Sequence, residues 1–157
     1  MELEKFLNES LCFAGLNMED SESVLRFLSK ILFDKGFVKE GFEEAVIKRE
    51  KEFPTALPTS GYKVAIPHTD SEYVNESVIS IASLQEPVLF NVMGEPEKTL
   101  PVNVIFLLVI KEKEKQVEVI SELIEKIIKD EKLIEKIATS ARGEEIYSII
   151  LRKLKID

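Results

Sequence analysis

The chain has one histidine, His68, which follows Pro67 at the end of a short apolar run, Val64–Ala65–Ile66. Arg49 lies nineteen residues earlier, and the hydroxyls of Thr55, Thr59 and Ser60 fall between them. One imidazole, one fixed cation and a few hydroxyls are too small a set for a metal centre or a catalytic triad. They suffice for a histidine that carries a phosphoryl group. Neutral imidazole is nucleophilic near neutrality because its ordinary pKa is ~6.5. Phosphoryl transfer asks for positioning and charge stabilisation more than for acid–base machinery. An arginine can grip phosphate oxygens with two parallel donors, and hydroxyls can add further bonds. The competing reading of His68 is a satisfied surface or core histidine.

Other chemistries lack their residues. With one His and one Cys there is no ligand set for a transition metal. The glycine patterns GxGxxG and GxxxxGK[ST], which cradle phosphates, are absent, and so is the GxSxG elbow of a serine nucleophile. No cofactor is implied. Cys12 sits in an apolar stretch with no adjacent base or cation and reads as a core residue.

The elements that must position His68 follow from periodicity. Leu11–Ala14, closed by Gly15, reads as a first strand. Asn17 or Asp20 can cap a helix whose stripe runs from Val24 to Leu32 and stops at Gly36. A second helix is expected from about Lys39 to Glu52, with Phe42, Ala45, Val46 and Phe53 on its apolar face, ended by Pro54. Arg49 shares that face. A helical arginine turned towards the core needs an anion or a polar cleft, or else it snorkels or pairs with Glu50, Glu52 or another carboxylate.

Pro54–Gly61 reads as a loop, and Tyr62–Ile66 as the strand delivering His68. Pro67 fixes its own φ and biases Ile66 to extended geometry, which stiffens that delivery. Further strands are expected at Ser77–Leu84, Pro87–Phe90 and Val102–Ile110, with a turn-rich loop over Asn91–Pro101. The continuous apolar run of the last strand is the pattern of burial on both faces of a sheet. Lys111–Lys115 reads as a solvated lead-in to a helix carrying Val117, Ile120, Leu123, Ile124, Ile127 and Ile128. Asp130 can cap the next helix, with Leu133, Ile134 and Ile137. Ile146, Ile149, Ile150 and Leu154 mark the last. Strands bracketed by helices give an α/β sandwich, read as one domain over residues 1–157.

Hydrophobic residues make up 45% and charged residues 32%, a balance that fits a folded globular chain. A net charge of −8 argues against a nucleic-acid partner, which would call for a basic face. The longest apolar run, Val104–Ile110, is far short of the ~20 residues of a membrane helix. With the lone cysteine and an acidic N-terminus, the expected location is cytoplasmic, without direct membrane insertion.

Arg49–Glu50, Thr55 and Val64–Ala65–Ile66–Pro67–His68 together resemble the phosphohistidine signature of the enzyme IIA domains of the bacterial sugar phosphotransferase system, in the fructose/mannitol/galactitol class. The order of elements is similar along essentially the whole chain. The Pro54–Tyr62 loop and the Thr69–Asp70 pair look most like the galactitol-type branch.

The resemblance implies a mixed sheet flanked by helices, as in the mannitol/fructose-type fold. It also implies a phosphotransferase component in which His68 accepts a phosphoryl group from the carrier protein HPr. His68 would pass it to a cysteine of an enzyme IIB, coupled to a membrane enzyme IIC that admits the sugar, galactitol or a related polyol. Arg49 would stabilise the phosphoryl group, with Thr55, Thr69 and Gln116 as further binding candidates. Gln116 stands where many members have a second histidine, and its amide can donate a hydrogen bond but cannot become cationic. The alternatives are a regulatory phosphoprotein of the same type and a non-catalytic relative. The non-catalytic relative predicts Arg49 paired with an internal carboxylate.

Overall fold

The computed structural model describes residues 2–156. Its centre is a long antiparallel hairpin, β4 (Val78–Val92) and β5 (Glu95–Val109). The hairpin turns at Met93–Gly94, where Gly94 takes the left-handed φ of 79° that a side chain would resist. β1 (Cys12–Leu16) lies parallel to β4, and β3 (Lys63–Ala65) lies parallel to β5. β2 (Ala56–Leu57) pairs antiparallel with β3 and touches β4 at Val92, so the tip of the hairpin is tied back to the strand before His68. The five strands form one mixed sheet.

Side chains alternate between two apolar layers. Ala65, Ala82, Ile105 and Leu107 meet α1 (Ser21–Asp34) and α2 (Phe42–Glu52) on one face. Val64, Ile66, Phe106 and Leu108 meet α3 (Gln116–Leu123), α4 (Glu131–Ala138) and α5 (Gly143–Ile156) on the other. Burial on both sides is what the unbroken run Val104–Ile110 records. The architecture is the expected α/β sandwich.

The capping expectations hold. Asp20 accepts from Ser23 N–H at 2.8 Å, and Asp130 accepts from Leu133 N–H at 3.1 Å. The helix from Gln116 continues through a widened turn, Ile124–Ile128, in which Lys129 N–H reaches Ile124 O at 3.0 Å. The extra residue per turn lets both Ile127 and Ile128 face the core.

Four local expectations are corrected. Asn91–Pro101 is not a loop, because strand pairing runs through it to the two-residue turn. Pro96 and Pro101 marked that expected loop, but from Glu95 to Pro101 β5 pairs with β4 alone, which leaves an open side for a missing N–H. Pro87 lies where the register slips, with Ser83 opposite Val104 and Val88 opposite Val102. The second helix begins at Phe42 rather than Lys39, after Gly41 at φ 98°. On that helix Ile47 is core, whereas Phe53 is 58% exposed. Val117, expected in an apolar stripe, is 77% exposed.

Candidate functional site

His68 stands just past β3, where the chain continues alongside β5. Leu108 N–H donates to Pro67 O at 2.9 Å, and His68 bridges to Leu108 in parallel register. The imidazole is half-buried, with Nδ1 2.9 Å from the carbonyl oxygen of Ile66. A carbonyl oxygen only accepts, so Nδ1 carries the proton and Nε2 keeps its lone pair. Burial holds the imidazole pKa below the ordinary 6.5, and the nearby charge of Arg49 pushes the same way. The Ile66 carbonyl and Asp70 oppose the shift in part. The ring is therefore neutral and nucleophilic at neutral pH.

Arg49 comes from the last turn of α2. Phe53 N–H donates to its carbonyl at 2.7 Å, closing the helix before Pro54. The guanidinium carbon lies 4.5 Å from the centroid of the Phe53 ring. Arg49 Nε is buried without a hydrogen-bond partner, and among the described residues no carboxylate pairs with the side chain. A buried guanidinium donor left open is costly unless a ligand completes it.

The adjacent carboxylate does not serve that purpose. Glu50 turns inward, 8% exposed, and accepts from Thr55 N–H at 2.9 Å and Thr55 Oγ1–H at 2.8 Å. Burial pushes its pKa up to about 7, against the pull of the two Thr55 bonds. Thr55, expected as a phosphoryl ligand, is 2% exposed and gives its hydroxyl proton to Glu50. It holds a corner of the chain instead of facing an anion. Thr59 likewise donates its hydroxyl proton to Tyr62 O at 3.1 Å, at the start of β3 and away from His68.

Thr69 and Gln116 do come together with His68. Thr69 is buried, and Gln116 Nε2–H donates to its carbonyl at 2.9 Å, fastening the residue after His68 to the first turn of α3. Cys12 is a core residue, its thiol pushed up to about 12 by burial and then by Glu9. A groove of about 800 Å³ opens between residues 61–63 and the start of α4, but it contains neither His68 nor Arg49, and lysines and glutamates mix on its rim.

Reading the sequence placed Glu50 in the Arg49–Glu50 signature pair without a role at the site, and it missed Phe53 as a neighbour of Arg49. Glu50 had a signal: it follows Val46 by four and Ile47 by three, which places it on the buried face of α2. Phe53 had none, since an aromatic at that spacing reads as core.

Residues 5–153 match the family model described as phosphoenolpyruvate-dependent sugar phosphotransferase system, EIIA 2. The galactitol-specific EIIA component of the phosphotransferase system of Escherichia coli (strain K12) is 24% identical over 107 residues, covering 68% of this chain and 71% of that protein. The solution structure of the mannitol-specific cryptic phosphotransferase enzyme IIA CmtB from Escherichia coli superposes with a TM-score of 0.78 at 22% identity, over 97% of this chain and 99% of that one. Enzyme IIA of the mannitol system, solved in complex with phosphorylated enzyme IIB from Escherichia coli, gives a TM-score of 0.71 at 23% identity, over 88% and 92%.

Proposed function

The chain belongs to the EIIA 2 family of the phosphoenolpyruvate-dependent sugar phosphotransferase system and is a phosphotransferase component, and on that premise we propose that His68 is its phosphoryl acceptor and Arg49 the group that steadies the phosphoryl oxygens. HPr is the donor in this reading, and a cysteine of an enzyme IIB, working with a membrane enzyme IIC, is the acceptor. The match to the galactitol-specific component supports galactitol or a related polyol as the sugar served.

The observation that carries the reading is the open Arg49 guanidinium, buried at Nε and unpaired, beside a neutral imidazole whose Nδ1 is already engaged. In the forward step the Nε2 lone pair attacks phosphorus as the nitrogen–phosphorus bond of the donor breaks, and the donor imidazole leaves with that electron pair. In the second step a thiolate attacks the same phosphorus, and Nε2 leaves with the pair. Nδ1–H keeps its bond to Ile66 O throughout, so the ring need not turn between steps. A bidentate guanidinium matches the phosphoryl oxygens during both displacements. Gln116 acts here on the backbone of Thr69 and keeps the strand end in place.

Incubation with phosphorylated HPr followed by intact-mass measurement tests this. Wild type should gain one phosphoryl group and His68→Ala none. No gain with HPr from the source organism, or a gain that survives in His68→Ala, overturns the assignment. Subsequent loss of the group to a IIB cysteine, in preference to any regulatory protein, tests the transport role.

A further inference from the structure

We infer that Glu50 is the positioning residue of the phosphoryl site: by holding Thr55 at two points it fixes the Phe53–Pro54–Thr55 corner, from which both Arg49 and His68 take their places. For its transfer arm this inference rests on the phosphocarrier reading.

A hydrogen-bond path runs from one side of the corner to the imidazole. Glu50 accepts from Thr55 N–H and Oγ1–H at 2.9 and 2.8 Å. Thr55 O accepts from Ile66 N–H at 3.3 Å. Ile66 O, in turn, accepts from His68 Nδ1–H at 2.9 Å. The other side of the corner reaches Arg49, because Phe53 N–H closes on the Arg49 carbonyl and the Phe53 ring lies against the guanidinium. Residues two apart thus hold the two members of the site, and one buried carboxylate holds the turn between them.

Glu50 is an expensive residue for the place it occupies. It is buried at 8% exposure, it has no cationic partner among the described residues, and it lies in the last turn of α2, where the helix dipole disfavours negative charge. Turning towards Thr55 also keeps it from neutralising Arg49, its neighbour in sequence, so the guanidinium stays open for an anion. Either protonation state can hold Thr55. The carboxylate accepts both donors, whereas the neutral acid accepts from N–H and donates to Oγ1. A glutamine amide reproduces the second pattern, and alanine reproduces neither.

The test is the tautomer of His68, read by nitrogen NMR on 15N-histidine-labelled protein, together with the rate of phosphorylation by phospho-HPr. In wild type the neutral ring should be protonated at Nδ1. Glu50→Ala should mix the two tautomers and slow phosphorylation on the order of tenfold to a hundredfold, the cost of a reacting group held loosely. Glu50→Gln should restore the wild-type tautomer and most of the rate.

A purely structural role for Glu50 would lower the melting temperature of Glu50→Ala without moving the tautomer. That result overturns the inference, as does a folded Glu50→Gln that loses as much as Glu50→Ala. If Glu50→Ala does not fold, Thr55→Val decides, and an unchanged tautomer with unchanged transfer there also overturns it. Failure of wild type to accept a phosphoryl group would count against the phosphocarrier reading alone, since the tautomer measurement judges Glu50 without any donor.

Discussion

Replacing Glu50 by glutamine should change how stability depends on pH, by an amount the structure sets. Burial raises the carboxyl pKa from 4.5 to about 7. In the unfolded chain the group returns to its ordinary value, so between those limits the folded state holds a proton that the unfolded state has released. Stability must then fall as pH rises through that window, and the loss is complete above the folded pKa. At about 1.4 kcal/mol per unit, the shift corresponds to about 3 kcal/mol. That is a large share of the roughly 5–15 kcal/mol that holds a domain folded.

Glutamine keeps both bonds to Thr55 and does not titrate. Urea unfolding of wild type and Glu50→Gln, stepped from about pH 4 to about pH 8.5, isolates the effect, because distant titrating groups cancel in the difference. The two proteins should be similar at the acid end, with glutamine more stable by about 3 kcal/mol at the alkaline end. A flat difference refutes the reasoning. A difference of opposite sign would mean that the Thr55 bonds outweigh desolvation and that the carboxylate is stabilised in its charged form.

Three further outcomes follow from the site. The NMR titration midpoint of His68 should lie below the ordinary 6.5, and Arg49→Gln should raise it by removing a neighbouring positive charge. A wild-type midpoint above the ordinary value would contradict the burial and charge argument. Arg49→Lys should slow transfer from phospho-HPr on the order of tenfold, since a point charge cannot reproduce the guanidinium fork; wild-type rates would remove Arg49 from its role. Phe53→Ala forfeits a contact worth about 0.5–1 kcal/mol at an exposed site, so transfer should fall a few-fold with the melting temperature nearly unchanged. An equal rate there would show that Arg49 is held by the backbone alone.

Much of this fold was legible because burial leaves a periodic trace. The caps Asp20 and Asp130, the isoleucine stripes of α4 and α5, and the two-sided strand ending at Val109 follow from local rules that tertiary packing did not override. The hairpin was not legible beyond Phe90, because two prolines, Pro96 and Pro101, and Gly94 signal a loop until one knows that β5 is paired on one side only there. His68 and Arg49 could be singled out by residue type. Their relation to Glu50 could not, because the sequence shows an adjacent opposite charge and says nothing of Thr55 turning that charge away.

The helical stripes misled at two positions, and both lie beside the site. Phe53 at the end of α2 and Val117 in the first turn of α3 were placed in the core by spacing, yet they stand 58% and 77% exposed. One touches Arg49, and the other follows the residue whose amide holds the Thr69 carbonyl next to His68. Scattered exposed apolar residues need no explanation, but two that adjoin candidate-site residues, Arg49 and Gln116, do. A phosphoryl group passed between proteins must cross a contact from which water is excluded, since water would otherwise hydrolyse the phosphoramidate. Under the phosphocarrier reading, Phe53 against Arg49 and Val117 next to Gln116 offer apolar surface to such a contact, at the expense of leaving both solvated in the free protein. The departures from a regular core pattern are therefore informative, since they fall where the surface has a second requirement to satisfy.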